Sequence, residues 1–191
     1  SKLIFRARTS NERNLWITDG TTAGTFELMN INSGDDNWTG LLTDGNSFVA
    51  RANDGSLGDE LLYSDGTQQG TRILDINSGN AYSYPQYFKY FGTKVLFLAQ
   101  KISGQWDWHY TDGTLAGTAR LDPDTSDGIG LSADPVVIGN KIYYVGTDTD
   151  HGAELWKSDG TIAGTTLVKD IYTGPTGSGV NPLNVIGTKL Y

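Results

Sequence analysis

The sequence predicts an all-β protein, a β-propeller of four four-stranded blades, and three observations carry that prediction. The stretch Asp-Gly-Thr occurs four times, with its aspartates at positions 19, 65, 112 and 159, a spacing of 46 or 47 residues. A second marker, a glycine before a short aromatic and aliphatic run, recurs in phase at positions 45, 92, 139 and 187. The 191 residues include 25 Gly, 10 Tyr, 6 Phe and 5 Trp, a turn-rich and aromatic-rich profile, and no segment keeps a helical period through three turns. A period in the forties made of short strands belongs to propeller blades.

The last full repeat shows how one blade is read. A strand is expected over 135–138, a tight turn at Gly139 and Asn140, and further strands over 141–145, 154–157 and 166–170. The runs "KIYYV" and "ELWK" suit half-buried strands because they are rich in aromatic, β-branched and aliphatic residues between Gly, Asp, Asn and Thr. Applied to the whole chain, this gives one propeller domain over 1–191. Its units run over about 1–45, 46–92, 93–139 and 140–187, and 188–191 starts another strand. Ser1-Lys2-Leu3-Ile4 aligns with Thr188-Lys189-Leu190-Tyr191. Two arrangements follow: closure by pairing of N- and C-terminal strands, which removes open sheet edges, or a fragment of a longer propeller array.

The Asp-Gly pairs, Asp19-Gly20, Asp65-Gly66, Asp112-Gly113 and Asp159-Gly160, are expected to be structural turns. The carboxylate of such a pair accepts a backbone N–H two residues on, and the glycine takes the positive φ that other residues resist. A second glycine at 24, 70, 117 and 164 serves the exit of the same corner.

Charge and composition exclude several classes. The net charge is −8 and the Lys and Arg residues are scattered, so nothing neutralises a phosphate backbone and nucleic acid is not expected as a partner. No apolar run approaches the ~18 residues of a membrane-spanning helix, and no membrane insertion is expected. The chain has no Cys and two His, at 109 and 151, and neither a G-x-S-x-G nor an H-E-x-x-H pattern, so a catalytic triad or zinc site lacks its parts. A non-enzyme is the expectation.

The segments "ELWKSDGTIAGTTLVKDI", "HGAELW" and "GTKLY" resemble the ELWxxDGT repeat of large secreted or surface-bound bacterial proteins. The resemblance runs over essentially the whole chain. The fourth copy matches best, and the third departs, with Trp108 and His109 where Leu and Trp are expected. It implies propeller-like blades and an extracellular or cell-surface location, and it implies neither catalytic residues nor a defined ligand. The corners are similar in logic to the structural Asp-box corners of sialidase propellers.

In a four-stranded meander the repeated corners share one end and the divergent loops the other, and variable loops on a rigid scaffold are where binding usually lives. Trp38, Tyr82 and Tyr84 are candidates to stack on sugar rings, with His151 beside them as a possible ligand-binding side chain. Asp148 and Asp150 in "TDTDHG", together with Asp54 in "NDG", are candidate Ca2+ ligands, although the spaced-oxygen pattern of an EF-hand is absent. Trp16, Leu62, His109 and Trp156 share one repeat position and are expected to pack between blades. The acidic residues before them, Glu60, Asp107 and Glu154, are expected either to bind backbone of the adjacent blade or to sit solvated at a strand start. The function expected is a non-catalytic binding or scaffold propeller that contacts a protein or glycan at a cell surface. A calcium-dependent lectin-like module is the alternative, followed by a propeller-fold glycan hydrolase or lyase using two carboxylates.

Overall fold

The computed structural model describes residues 2–9, 12–31, 39–101, 104–121, 135–180, 185–186 and 189–190. All of its sheets are antiparallel meanders, and the described residues contain no α-helix. The first sheet has three strands, β1 (Leu3–Thr9), β2 (Glu12–Thr18) and β3 (Phe26–Asn30). Each of the next three has four. The second is β4 (Thr39–Thr43), β5 (Phe48–Ala52), β6 (Glu60–Ser64) and β7 (Arg72–Leu74). The third is β8 (Gln86–Phe91), β9 (Lys94–Lys101), β10 (Gln105–Thr111) and β11 (Ala119–Arg120). The fourth is β12 (Val136–Ile138), β13 (Lys141–Asp148), β14 (Gly152–Ser158) and β15 (Thr166–Lys169), and β16 (Val185–Ile186) pairs with β17 (Lys189–Leu190) in a two-stranded fifth.

The strands expected in the last full repeat are present, and its two middle strands run longer, to Asp148 and from Gly152, because their ladder continues to the Asp148–Gly152 pair. Among the described residues β16 pairs with β17, and no sheet holds both an N-terminal and a C-terminal strand. A hairpin with a two-residue connection has a far smaller loop-closure cost than a pairing across the length of the chain.

The described chain forms two compact units, 1–88 with 99–102, and 89–98 with 103–191. In the first, alternate residues of β2, Leu15 and Ile17, join Leu28 and Ile31 in covering Phe48, Ala50, Ala52 and Leu62 of the second sheet. In the second, Leu96, Leu98, Trp108 and Leu121 pack on Ile142 and Tyr144, with Trp156 at the margin. The two cores are built alike: one face of a sheet lies on the opposite repeat face of the next. Leu62 and Trp156 therefore sit in sheet-to-sheet packing, while Trp16 stacks on its cross-strand partner Phe5 at 6.4 Å and His109 on Phe97 at 5.5 Å.

Each Asp-Gly-Thr corner is the same small hydrogen-bonded network. At the fourth, Asp159 Oδ1 accepts the Thr161 N–H at 3.1 Å and the Thr161 hydroxyl at 2.7 Å, and Thr161 Oγ1 in turn accepts the Gly164 N–H at 2.9 Å. A second chain of bonds has one direction throughout. Thr165 Oγ1 donates to the Thr161 carbonyl, so it accepts from Ser158 Oγ at 2.8 Å, and Ser158 Oγ accepts the Gly160 N–H at 3.0 Å. Gly20, Gly66, Gly113 and Gly160 hold φ of +94°, +81°, +90° and +84°. The Thr hydroxyl, followed by backbone N–H donors, holds all four corner carboxylates below the usual range.

The second corner glycine is demanded by contact rather than by φ. A Cβ at position 70 would overlap the Asp65 carboxylate, and the equivalent clash arises at 24, 117 and 164. Gly70→Ala is therefore expected to displace Asp65 and lower stability by about 1–2 kcal/mol, whereas Gln69→Ala beside it leaves stability unchanged; urea denaturation of both variants checks this.

Candidate functional site

The divergent loops of the second sheet, 53–59 and 75–85, lie against each other: a Cβ on Gly58 would come within 2.9 Å of the Ala81 carbonyl oxygen. Between them stands Glu60, the first residue of β6, fully buried. Its Oε2 accepts the Ile76 N–H at 2.9 Å and the Ser83 hydroxyl at 2.6 Å. The preceding carbonyl, that of Asp59, accepts the N–H groups of Ser83 and Tyr84 at 3.0 and 3.1 Å, and the Ser83 carbonyl accepts the Gln100 N–H at 2.7 Å. Asn77 Nδ2 adds a bond to the Tyr82 carbonyl at 3.1 Å.

The anchored backbone sets two rings face to face. Tyr82 and Tyr84 stack with centroids 5.3 Å apart and planes 11° apart. The Arg51 guanidinium lies 4.7 Å from the Tyr84 ring centre and is itself paired with Asp59, which also accepts from Asn53 at 3.3 Å. Tyr84 has φ +46° immediately before Pro85, a backbone region that a following proline disfavours, and Tyr87 has φ +56°. Such strain costs about 1–3 kcal/mol per residue and persists only where surrounding bonds over-determine the conformation. Here those bonds are the ones to Asp59, Glu60 and Gln100. Tyr82 is left 45% exposed.

The same anchor recurs in the fourth sheet without the aromatic stack. Glu154 accepts the Tyr172 N–H at 3.1 Å and the Ser178 hydroxyl at 2.7 Å, and the Ala153 carbonyl accepts the Ser178 N–H at 3.1 Å. In the third sheet the shorter Asp107 pairs with Arg120 at 3.0 Å. The expectation for this position is corrected: these acids are buried, and Glu60 and Glu154 bind the loop that follows the fourth strand of their own sheet. Burial pushes the Glu60 carboxyl up to about 7 against the bonds from Ser83 and Ile76, with Asp75 adding to the rise. At Glu154 burial also raises the value, but the Ser178 hydroxyl and the backbone donors outweigh it and the net shift is downward.

The candidate calcium ligands are engaged in their own loops. Asp54 Oδ1 accepts the Ser56 N–H at 2.9 Å, the Ser56 hydroxyl at 2.8 Å and the Leu57 N–H at 3.0 Å. Asp148 Oδ1 accepts the Asp150 and His151 N–H groups at 3.1 and 2.6 Å, and its Oδ2 lies 2.7 Å from His151 Nδ1, which raises the His151 pKa. Asp150 is exposed. Among the described residues no three His, Cys, Asp or Glu side chains are placed to hold a metal ion. Trp38 lies outside the described residues.

Arg51, Asp59 and Ser83 are absent from the sequence-based candidates. One signal for the anchor was available: a serine follows Glu60 by 23 residues and Glu154 by 24, at the same place in two repeats.

No family model matches the chain, and no curated protein does. Solved structures do. A puromycin hydrolase is 10% identical with TM-score 0.55 over 94% of this chain and 28% of its own, and a Mycobacterium tuberculosis puromycin-hydrolyzing peptidase is 9% identical with TM-score 0.52 over 91% and 28%. TolB from Acinetobacter baumannii is 13% identical with TM-score 0.46 over 86% of this chain and 39% of its own. The chain thus spans well under half the length of these neighbours. Likeness at such identity concerns the fold alone, which is a propeller-like array of antiparallel sheets.

Proposed function

We propose that the protein is a non-catalytic binding and scaffold module of the ELWxxDGT-repeat type, displayed outside the bacterial cell, with its sheets arranged as propeller blades. Its ligand contact is the loop end of the second sheet. The observation that supports this is the Tyr82–Tyr84 stack on a strained loop anchored at Asp59, Glu60 and Gln100. A core does not require such expense of bonding to hold a tyrosine in the open. With Arg51 neutralised by Asp59, the surface offers aromatic area and hydroxyls rather than net charge, which suits a neutral sugar ring better than an anionic one. The calcium-dependent form of the reading draws no support from Asp54 or Asp148, whose carboxylates already accept loop donors.

A neutral-glycan array probed with the purified chain, with and without chelator, is the test. Binding is expected to survive chelation and to weaken about two- to tenfold in Tyr82→Ala at unchanged thermal midpoint, since one aromatic contact is worth about 0.5–1.5 kcal/mol. Hits that Tyr82→Ala leaves intact would move the contact elsewhere, and an array without hits would remove glycan from the proposal.

A further inference from the structure

Only one of the two Glu60 carboxyl oxygens is satisfied. Oε2 accepts the Ile76 N–H and the Ser83 hydroxyl, while Oε1 is buried and no donor bonds to it. The bond from Ile76 brings the residue before it, Asp75, alongside, and there the arrangement repeats. Asp75 Oδ2 accepts the Gly79 N–H at 3.3 Å, and Oδ1 is buried without a donor. Two neighbouring carboxyl groups thus each keep one oxygen shut away from water with nothing to satisfy it, and carboxylates that share such a place do not both stay ionised.

A calcium-like cation needs about six to eight oxygens, and among the described residues no three His, Cys, Asp or Glu side chains gather around one. A proton needs two. The elements packed on β6 bring no compensating charge. From β5, Arg51 is already paired with Asp59, and from β7, Arg72 lies over the Tyr63 ring at 5.5 Å and lowers Asp65 at the corner. The first sheet packs on this one through Leu15, Ile17, Leu28 and Ile31. Burial and the Asp75 charge both push Glu60 toward its protonated form. The fourth sheet is the contrast. Asp170, in the place of Asp75, also keeps a buried oxygen without a donor, yet Glu154 has both oxygens taken, Oε1 by the Tyr172 N–H and Oε2 by the Ser178 hydroxyl, and its value is lowered.

We propose that Glu60 and Asp75 hold one proton between them, Oε1 of the acid donating to Oδ1 of the carboxylate, and that loss of this proton to solvent frees the 75–85 loop from β6. The pair is a latch under strain: Tyr84, held at φ +46° before Pro85, regains an extended backbone once the bonds at Asp59 and Glu60 part. Tyr82 and Tyr84 go with the loop, so the aromatic surface is formed on the acid side of neutrality and dismantled on the alkaline side. This last consequence rests on the ligand reading above, whereas the latch does not.

Amide exchange followed by NMR, expressed as protection relative to the unfolded rate at each pH, tests the latch without any ligand. The reporters are the Ser83 and Tyr84 N–H groups, both held by the Asp59 carbonyl, and the reference is the Ile31 N–H, held by the Arg13 carbonyl. Relative to Ile31, protection at Ser83 and Tyr84 is expected to fall about tenfold from pH 6 to pH 8 in the wild type, the change that a carboxyl raised from 4.5 to about 7 imposes. Glu60→Gln places an amide N–H where the proton lay, and Asp75→Asn supplies one from the other side, so both variants are expected to keep the loop closed with a level profile. Level wild-type protection overturns the proposal, as does a fall that persists in either variant. Protection at pH 8 restored by millimolar calcium chloride would also overturn it, by putting an ion in place of the proton. An array without glycan hits, with exchange as expected, strikes the ligand reading and leaves the latch supported.

Discussion

Glu60→Ala is expected to destabilise the protein by about 2–4 kcal/mol, because it leaves the Ile76 N–H and the Ser83 hydroxyl as buried donors without an acceptor. Glu60→Gln tests a different part of the claim. It keeps an acceptor oxygen for both donors and removes only the titration. In the wild type the folded-state value of Glu60 lies near 7, above the ordinary 4.5, so the protonated acid is the form that folding favours. The stability it contributes is complete below about pH 4.5 and is lost as the pH rises through 7. The corner aspartates have the opposite sign: their values are lowered, so their contribution is present above the ordinary 3.8 and fails on acidification. Urea midpoints taken from pH 5 to pH 8 should therefore fall in the wild type and fall less in Glu60→Gln, where only the raised His151 still titrates in that direction. A wild-type profile that rises across this range would refute the assignment.

Trp108→Ala is the second large effect, expected to cost about 3–5 kcal/mol as the loss of a buried indole and the cavity it leaves. Trp108 is 3% exposed and packs with Leu96, Leu98, Leu121, Ile142 and Tyr144. The matching residues in the other repeats are Leu15, Leu61 and Leu155, so Trp108→Leu restores the repeat's own choice and should cost well under half as much. Equal losses for Ala and Leu would mean that the third sheet's core has been rebuilt around the indole and tolerates no smaller side chain. Equilibrium denaturation of the two variants decides between these outcomes.

The repeat period, the strand order within each sheet and the backbone donor to each corner aspartate could be read from the sequence because they are local, while the Thr hydroxyl that donates beside it was not read. Asp159, Gly160 and Thr161 meet within one turn, and alternation along β13 and β14 states which residues face the neighbouring sheet. The role of Glu60 was not legible for the opposite reason. Its partners, Ile76 and Ser83, lie 16 and 23 residues away in a loop whose length differs between repeats, so a solvated strand start and a buried anchor look alike in a linear string. Arg51 was hidden similarly: only the folded loop brings its guanidinium over Tyr84 and beside Asp59.

The corner network leaves two residues of each copy outside its side-chain bonds: Thr22 and Ala23, Gln68 and Gln69, Leu115 and Ala116, Ile162 and Ala163. The first tip residue of each copy accepts, through its carbonyl, the N–H of the Thr three residues on, and the Gln68 side chain also donates to the Glu27 carbonyl at 2.6 Å. Each copy is thus a clamp with an unassigned tip, closed by Asp, Thr and Gly whatever the tip carries. Mutational drift of the tip side chains can act there without touching the fold, and a foreign dipeptide placed at any of the four tips would be displayed on a frame that does not depend on its side chains.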